Sequence, residues 1–183
     1  ERFLSALFHS VSARTAGFNT LDLAALAPAS LFSILVLMWI GGSPASTAGG
    51  VKTTTAAVAL LTVLSIATGR ERVELFRRRL GEASIQRAFA TVVISVFLLS
   101  GSVLALLALE EKPAFDLAFE AVSALSTVGL STGITPSLGT PAKLLLSALM
   151  LAGRVGLLGC VLAATPQRRD ARHEYAREDV LVT

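Results

Sequence analysis

Charged residues make up only 16% of the chain, which contains one cysteine and two histidines. Cys160 alone cannot form an internal disulfide framework or a cysteine metal cluster. His9 and His173 lie far apart in the sequence and lack the close spacing of metal ligands. No Ser/His/Asp set or metal-ligand set converges on an apolar segment, so the composition argues against an enzyme.

Aromatic residues are also scarce, at 6% of the chain, and most of the arginines flank the apolar segments. Nucleic-acid-binding surfaces combine the two residue types, so we expect no nucleic-acid partner. By contrast, 53% of the residues are hydrophobic. The nearly charge-free windows 23–51, 88–109 and 144–153, alone or with their flanks, are long enough to cross about 30 Å of hydrocarbon. The sequence predicts an all-α integral membrane protein.

A short polar segment occurs twice, as SARTAGFNT at 12–20 and as SALSTVGLST at 123–132. The two copies align at an offset of about 111 residues, with a one-residue insertion before the matched glycines. The matched pairs are Phe8 with Phe119, Val11 with Val122, Ser12 with Ser123, Ala13 with Ala124, Thr15 with Thr127, Gly17 with Gly129, Met38 with Met150 and Gly41 with Gly153. A repeat of this length is typical of a pore module that is used more than once.

Each copy is expected to be a short helix, at 1–13 and 114–125, followed by irregular backbone. Backbone carbonyls can replace the water that a monovalent cation loses, and a glycine allows successive carbonyls to turn to one side. The C-terminal end of each short helix would aim its negative dipole at the cation. The predicted ion-binding residues are Thr15, Ala16, Gly17, Phe18 and Asn19 in the first copy and Thr127, Val128, Gly129, Leu130 and Ser131 in the second. The alternative is two tight turns between helices.

The strongest helix breaker is GGSPASTAGG at 41–50, with apolar helices predicted at 31–40, which Pro28 begins, and at 51–68. One straight helix over 28–69 would be about 60 Å long, twice the hydrocarbon thickness. We therefore expect a discontinuous helix that is interrupted within the membrane. The alternative is a flexible surface linker between two complete spans.

The basic run RERVELFRRR at 70–79 predicts a cytoplasmic loop that also contacts lipid headgroups. A spanning helix at 84–109 then returns outward, so both repeated loops would enter from outside. The last helix is expected from Pro141 to about 164, followed by a cytoplasmic tail. We expect four parts, 1–69, 70–83, 84–165 and 166–183, in the C-terminal portion of a longer protein, because the chain opens inside a helix without a signal peptide.

Three charged residues near these features leave alternatives open. Arg154 lies mid-helix, where it would modulate cation passage below the loops, anchor carbonyls of 41–50, or snorkel to the inner face. Lys52 is equally consistent with a surface lysine at a helix start and with a role in a gate. Glu120 stands where His9 stands in the first copy, and an outward-facing solvated carboxylate is favoured over a role in supporting the loop.

These motifs together resemble the Trk/Ktr/HKT superfamily of potassium transporters, most of all the Ktr-type bacterial membrane subunit. SVSARTAGFNT and VSALSTVGLSTGITP look like that family's third and fourth selectivity filters. GGSPASTAGGVKTTT is similar to its intramembrane gating loop, and GRVG at 153–156 to the arginine-bearing motif of its final helix. The gate residues that the resemblance implies are Gly41, Gly42, Ser43, Ser46, Thr47, Gly49, Gly50, Lys52 and Arg154.

The resemblance implies a potassium-channel-like fold of helix–pore loop–helix repeats with a broken transmembrane helix. It implies potassium uptake across the cell membrane, with K⁺ as the transported ion, a homodimer, and a cytoplasmic ring of nucleotide-binding regulatory subunits. Gly17 and Gly129 favour potassium over sodium in this family, whereas Pro44 departs from its gating loop. The alternatives are a non-conducting helical membrane scaffold and a sodium-permeable member of the superfamily.

Overall fold

The computed structural model describes residues 2–44, 46, 48–69, 73–75, 78–156 and 159. Within these residues the chain forms six α-helices: α1 (Arg2–Ser12), α2 (Pro28–Trp39), α3 (Thr53–Ala67), α4 (Glu82–Leu109), α5 (Ala114–Leu125) and α6 (Thr140–Val155). Short 3₁₀ turns at Leu23–Ala25 and Thr135–Ser137 precede α2 and α6. Thr47, Cys160, His173 and the predicted tail at 166–183 lie outside the described residues.

Helix α4 is the one helix in the described part of the chain that is long and apolar enough to cross a membrane. Its 28 residues extend about 42 Å. It begins at Glu82, two residues before the predicted start, and the acidic side chain in its first turn favours that start through the helix dipole. Helices α2 and α3 are apolar but shorter, with 12 and 15 residues.

Helix α5 lies at the centre of the packing, between α4 and α6 on one side and α2 on the other. Both hydrophobic clusters include α5 side chains, with Leu117 and Leu125 in one and Phe119 and Val122 in the other. All four side chains are buried. Every α5 residue from 119 to 125 is buried, so neighbouring elements surround this half of the helix and hold the loop that follows it in a fixed place.

Two local features add detail to the predicted fold. Two strands of two residues each, β1 (Glu74–Leu75) and β2 (Arg78–Arg79), pair antiparallel within the predicted basic loop. Helix α6 ends at Val155, where Gly156 has a φ of 95°, which no α-helix accommodates. Apart from Gly159, the segment between Gly156 and the predicted helix end at 164 lies outside the described residues. The predicted boundaries at 69, 83 and 165 stay predictions.

Candidate functional site

The first loop (13–22) and the second loop (126–134) share an unusual backbone conformation. Thr15 and Gly17 both have a φ of 73°, and their repeat partners Thr127 and Gly129 have φ values of 56° and 93°. The two threonines are the only non-glycine residues with positive φ in the described part of the chain. This region costs a residue with a side chain about 1–2 kcal/mol, and the two loops adopt it at the positions that the sequence alignment matches.

A buried serine near the end of each short helix accepts hydrogen bonds from the loop that follows it. The carbonyl of Ser12 accepts hydrogen bonds from the amides of Ala16 and Gly17, both at 3.1 Å. In the second loop the Ser123 carbonyl accepts from the Val128 amide at 3.0 Å, and the Ser123 hydroxyl accepts from the Gly129 amide at 3.2 Å. The sequence alignment paired these serines, but sequence reasoning assigned them no function.

The two loops touch each other. A Cβ atom added at Gly17 would overlap the carbonyl oxygen of Val128, so only glycine permits this approach. In the second loop Val128 and Leu130 bury their side chains while Gly129 is exposed. In the first loop the corresponding Phe18 is 70% exposed. The structure therefore brings the predicted ion-binding backbone segments together, and among the predicted ion-binding residues only Val128 and Leu130 of the second loop are buried.

The predicted break between α2 and α3 is present, and we call residues 40–52 the central break. Its two ends are joined by a parallel bridge between Ile40 and Val51, with the Gly41 amide donating to the Val51 carbonyl at 2.8 Å. The Thr53 amide donates to the Gly42 carbonyl at 3.2 Å. Because these bonds hold the helix ends together, the residues between them leave the helical path and return to it.

The central break docks on the second loop. The Gly49 amide donates to the hydroxyl of Thr127 at 2.9 Å and to the Ser126 carbonyl at 3.2 Å. A Cβ added at Gly49 would lie 2.7 Å from the Leu125 carbonyl oxygen, and one at Gly50 would lie 2.8 Å from the Ser126 hydroxyl. Both glycines are therefore required for this close approach.

Lys52 contacts the central break directly. Its Nζ donates to the Ala48 carbonyl at 2.6 Å and to the Ser46 carbonyl at 3.5 Å. The amide of Ser46 donates to the Ser43 carbonyl at 3.3 Å, closing a turn around the exposed Pro44. Lys52 is also the residue immediately before α3, and its role in a gate stays a prediction.

Helix α6 completes the contact around the end of α5. A Cβ added at Gly153 would overlap the carbonyl oxygen of Leu125. The central break also approaches this point, because a Cβ added at Gly49 would lie 3.1 Å from the Gly153 carbonyl oxygen. Arg154 follows in the last turn of α6 with an exposed side chain. A basic residue there is favoured by the C-terminal dipole. Arg154 therefore lies one residue from the meeting point of α5, α6 and the central break.

Glu120 corrects the sequence interpretation. It was expected to be an outward-facing solvated carboxylate, but it is 6% exposed and lies behind the second loop. One carboxylate oxygen accepts from the Ser131 hydroxyl and the other accepts from the Thr135 hydroxyl at 2.9 Å. Helix periodicity alone did not reveal this, because the two hydroxyls come from the loop and the 3₁₀ turn that follow the helix.

His9, the repeat counterpart of Glu120, is also buried, with 5% exposed. Its Nδ1 lies 2.8 Å from the Ser5 carbonyl oxygen, and its Nε2 has no hydrogen-bond partner among the described residues. Those residues also contain no group of three or more His, Cys, Asp or Glu side chains that would hold a metal ion. The oxygens concentrated at this site are backbone carbonyls and hydroxyls, together with the carboxylate of Glu120.

Comparison with known protein families identifies the chain. Residues 1–172 match the model of the TrkH family, described as a cation transport protein. The chain belongs to the TrkH family. This confirms the resemblance found in the sequence, and the family together with the long apolar helix α4 makes the chain a membrane protein of the cation-transport class.

Three relatives of this TrkH-family chain are named as uptake proteins. The Ktr system potassium uptake protein D of Bacillus subtilis is 36% identical over 98% of this chain and 40% of its own length. The Ktr system potassium uptake protein B of Vibrio alginolyticus is 39% identical over 86% of this chain and 34% of its own length. The potassium/sodium uptake protein NtpJ of Enterococcus hirae is 35% identical over the whole chain and 42% of its own length. The chain thus spans about two fifths or less of each.

Proposed function

We propose that the first and second loops are two segments of a selectivity filter for potassium uptake across the cell membrane. The observation that carries this proposal is the matched backbone of two contacting loops, in which Thr15, Gly17, Thr127 and Gly129 all have positive φ. Such backbone turns successive carbonyl oxygens toward one space, where they replace the hydration shell of a monovalent cation. K⁺ is the transported ion in this proposal.

Two loops make half of such a filter, and the rest of the protein supplies the remainder. The chain spans 34–42% of the length of its relatives. Helix α1 exposes large apolar side chains, including Phe3 at 76% and Val11 at 64%, whereas its counterpart α5 is surrounded. In the complete protein we propose four helix–pore loop–helix repeats around one pore, with further repeats covering α1.

The central break is proposed as the gate of this pathway. It docks on Thr127 through Gly49, and Lys52 ties its second half to the start of α3. An ion that has passed the second loop would reach the central break next. Deleting residues 43–48 should therefore raise K⁺ flux in the complete protein, and unchanged or lower flux would contradict a gating role.

The proposed topology is multi-pass in the cell membrane, with both loops entering from outside. The basic segment 70–79 and the C-terminal tail are cytoplasmic by the positive-inside rule. We further propose a homodimer in contact with membrane lipid, with a ring of cytoplasmic nucleotide-binding regulatory subunits that contacts these two segments.

The test is K⁺ uptake by the complete protein in a cell that lacks its own K⁺ uptake systems, with Gly129→Ser beside wild type. A serine at a φ of 93° strains the backbone that presents the carbonyls. We expect the variant to lose K⁺ uptake or K⁺/Na⁺ selectivity while reaching the membrane in normal amount. Retention of both properties would contradict the filter.

Sodium permeation is a second candidate, because one 35% identical relative is named a potassium/sodium uptake protein. Na⁺ uptake measured in the same cells distinguishes the two, since a potassium-selective pathway leaves it at background. A protein that reaches the membrane and moves neither ion would instead be a non-conducting helical scaffold.

A further inference from the structure

A cavity of about 250 Å³ adjoins the second loop. Its wall includes Glu120, Gly129, Ser131 and Thr135. Most buried carboxylates are stabilised by hydrogen bonds, since burial without a partner is costly. Both hydrogen-bond donors to Glu120, Ser131 and Thr135, follow Gly129 in the chain. The carboxylate therefore helps to hold the second loop in place.

The hydrogen bonds around Glu120 fix the direction of both hydroxyls. Ser131 and Thr135 each have one hydroxyl proton, and the carboxylate accepts both. The two hydroxyl oxygens lie 3.0 Å apart, and Ser131 Oγ also accepts from the Gly133 amide at 2.9 Å. The side chain of Ser131 is therefore turned toward Glu120.

We propose that Glu120 is a positioning residue that sets the shape of the second loop and, through it, the K⁺/Na⁺ preference. This inference rests on the proposed filter. Ser131 lies two residues after Gly129, so a clamp on its hydroxyl limits how far the carbonyls of Gly129 and Leu130 move. In the snug-fit account of selectivity, a smaller cation is rejected when the carbonyls cannot close around it, and a held loop provides that resistance.

The first loop has no equivalent clamp among the described residues. By the repeat, His9 replaces Glu120, Asn19 replaces Ser131 and Leu23 replaces Thr135. The first loop is held instead by the Ser12 hydroxyl, which donates to the Phe18 carbonyl. The two loops are thus positioned by different chemistry, and the carboxylate acts on the second loop only.

The experiment compares Glu120→Asp, Glu120→Gln and Thr135→Val in the complete protein, with uptake of K⁺ and of Na⁺ measured in uptake-deficient cells. Aspartate is too short to reach both hydroxyls, so Glu120→Asp should lower the K⁺/Na⁺ uptake ratio about tenfold. Glu120→Gln keeps the length and one oxygen and should have a smaller effect. Asp116→Asn is the matched control, because that partly exposed carboxylate lies one turn earlier on α5.

A change confined to maximal uptake rate, with the ratio within about twofold of wild type, would overturn the proposal. If Glu120→Asp does not reach the membrane, Thr135→Val decides, because it removes one hydrogen bond and keeps the side-chain volume. Combining it with Glu120→Gln should lower the ratio by less than the product of the single effects. Failure of Gly129→Ser to alter uptake would instead contradict the filter itself, so the two outcomes are distinguishable.

Discussion

The amide of Gly49 donates a hydrogen bond to the hydroxyl of Thr127, 2.9 Å away and 78 residues later in the chain. Thr127 is the residue of the second loop that adopts positive φ without being glycine. The central break and the second loop therefore share a donor–acceptor pair. In the proposed function this pair links the gate to the filter, so that movement of one is coupled to the other.

Thr127→Val should loosen the central break. The substitution removes the hydroxyl that accepts from the Gly49 amide, while the Ser126 carbonyl remains as a second acceptor. Loss of one hydrogen bond costs about 1 kcal/mol, which corresponds to roughly fivefold faster exchange of the Gly49 amide. Hydrogen–deuterium exchange of peptides that contain Gly49, in the complete purified protein, measures this. Thr127→Ser retains the acceptor and should exchange at the wild-type rate. Equal rates in both variants would show that the hydroxyl does not hold the break.

Gly17→Ala and Gly129→Ala should differ in stability. Both place an alanine at positive φ, which costs about 1–2 kcal/mol. A Cβ at Gly17 also overlaps the Val128 carbonyl, whereas a Cβ at Gly129 meets no described atom within 4 Å. We expect Gly17→Ala to lower Tm in detergent further, by an additional cost of about 1–3 kcal/mol. A smaller decrease for Gly17→Ala than for Gly129→Ala would contradict the contact between the loops.

Gly153→Ala should force α6 away from the end of α5. The added Cβ overlaps the Leu125 carbonyl oxygen, and overpacking of this kind costs about 1–3 kcal/mol. Gly101→Ala is the control, because Gly101 lies within α4 with no described atom within 4 Å of its added Cβ. That change should be neutral or stabilising by about 0.5–1 kcal/mol. Thermal unfolding of both variants checks the difference, and equal Tm values would count against the close approach.

Lys52→Met should raise K⁺ uptake through the proposed gate. The ammonium holds the Ala48 carbonyl at 2.6 Å, and loss of one such bond, about 1 kcal/mol, would increase the open population roughly fivefold. Initial uptake rates in uptake-deficient cells measure the effect. Lys112→Met, outside the break, should leave the rate unchanged. A wild-type rate for Lys52→Met would show that this lysine does not restrain the gate.

Local features were predicted well from the sequence. Proline at the first or second position of α2 and α6, the glycines of 41–50 and the bounds of α5 all depend on neighbouring residues. The start of α4 was placed two residues late, because Glu82 and Ala83 precede the apolar run that marked the span. The backbone leaves the helix at Gly156, which the sequence does not reveal, because a glycine in an apolar run does not by itself show its φ.

The sequence by itself determined the membrane class, the repeat, the irregular loops and the break, since composition and short-range backbone preference are local properties. Only the tertiary structure decided that Glu120 is buried, that Gly17 touches Val128 and that Gly49 bonds Thr127. Each depends on a contact outside the residue's own helix or loop, and the buried position of Glu120 follows from neighbours on every side of α5. Such relationships are set by packing, which brings together residues that no local pattern pairs.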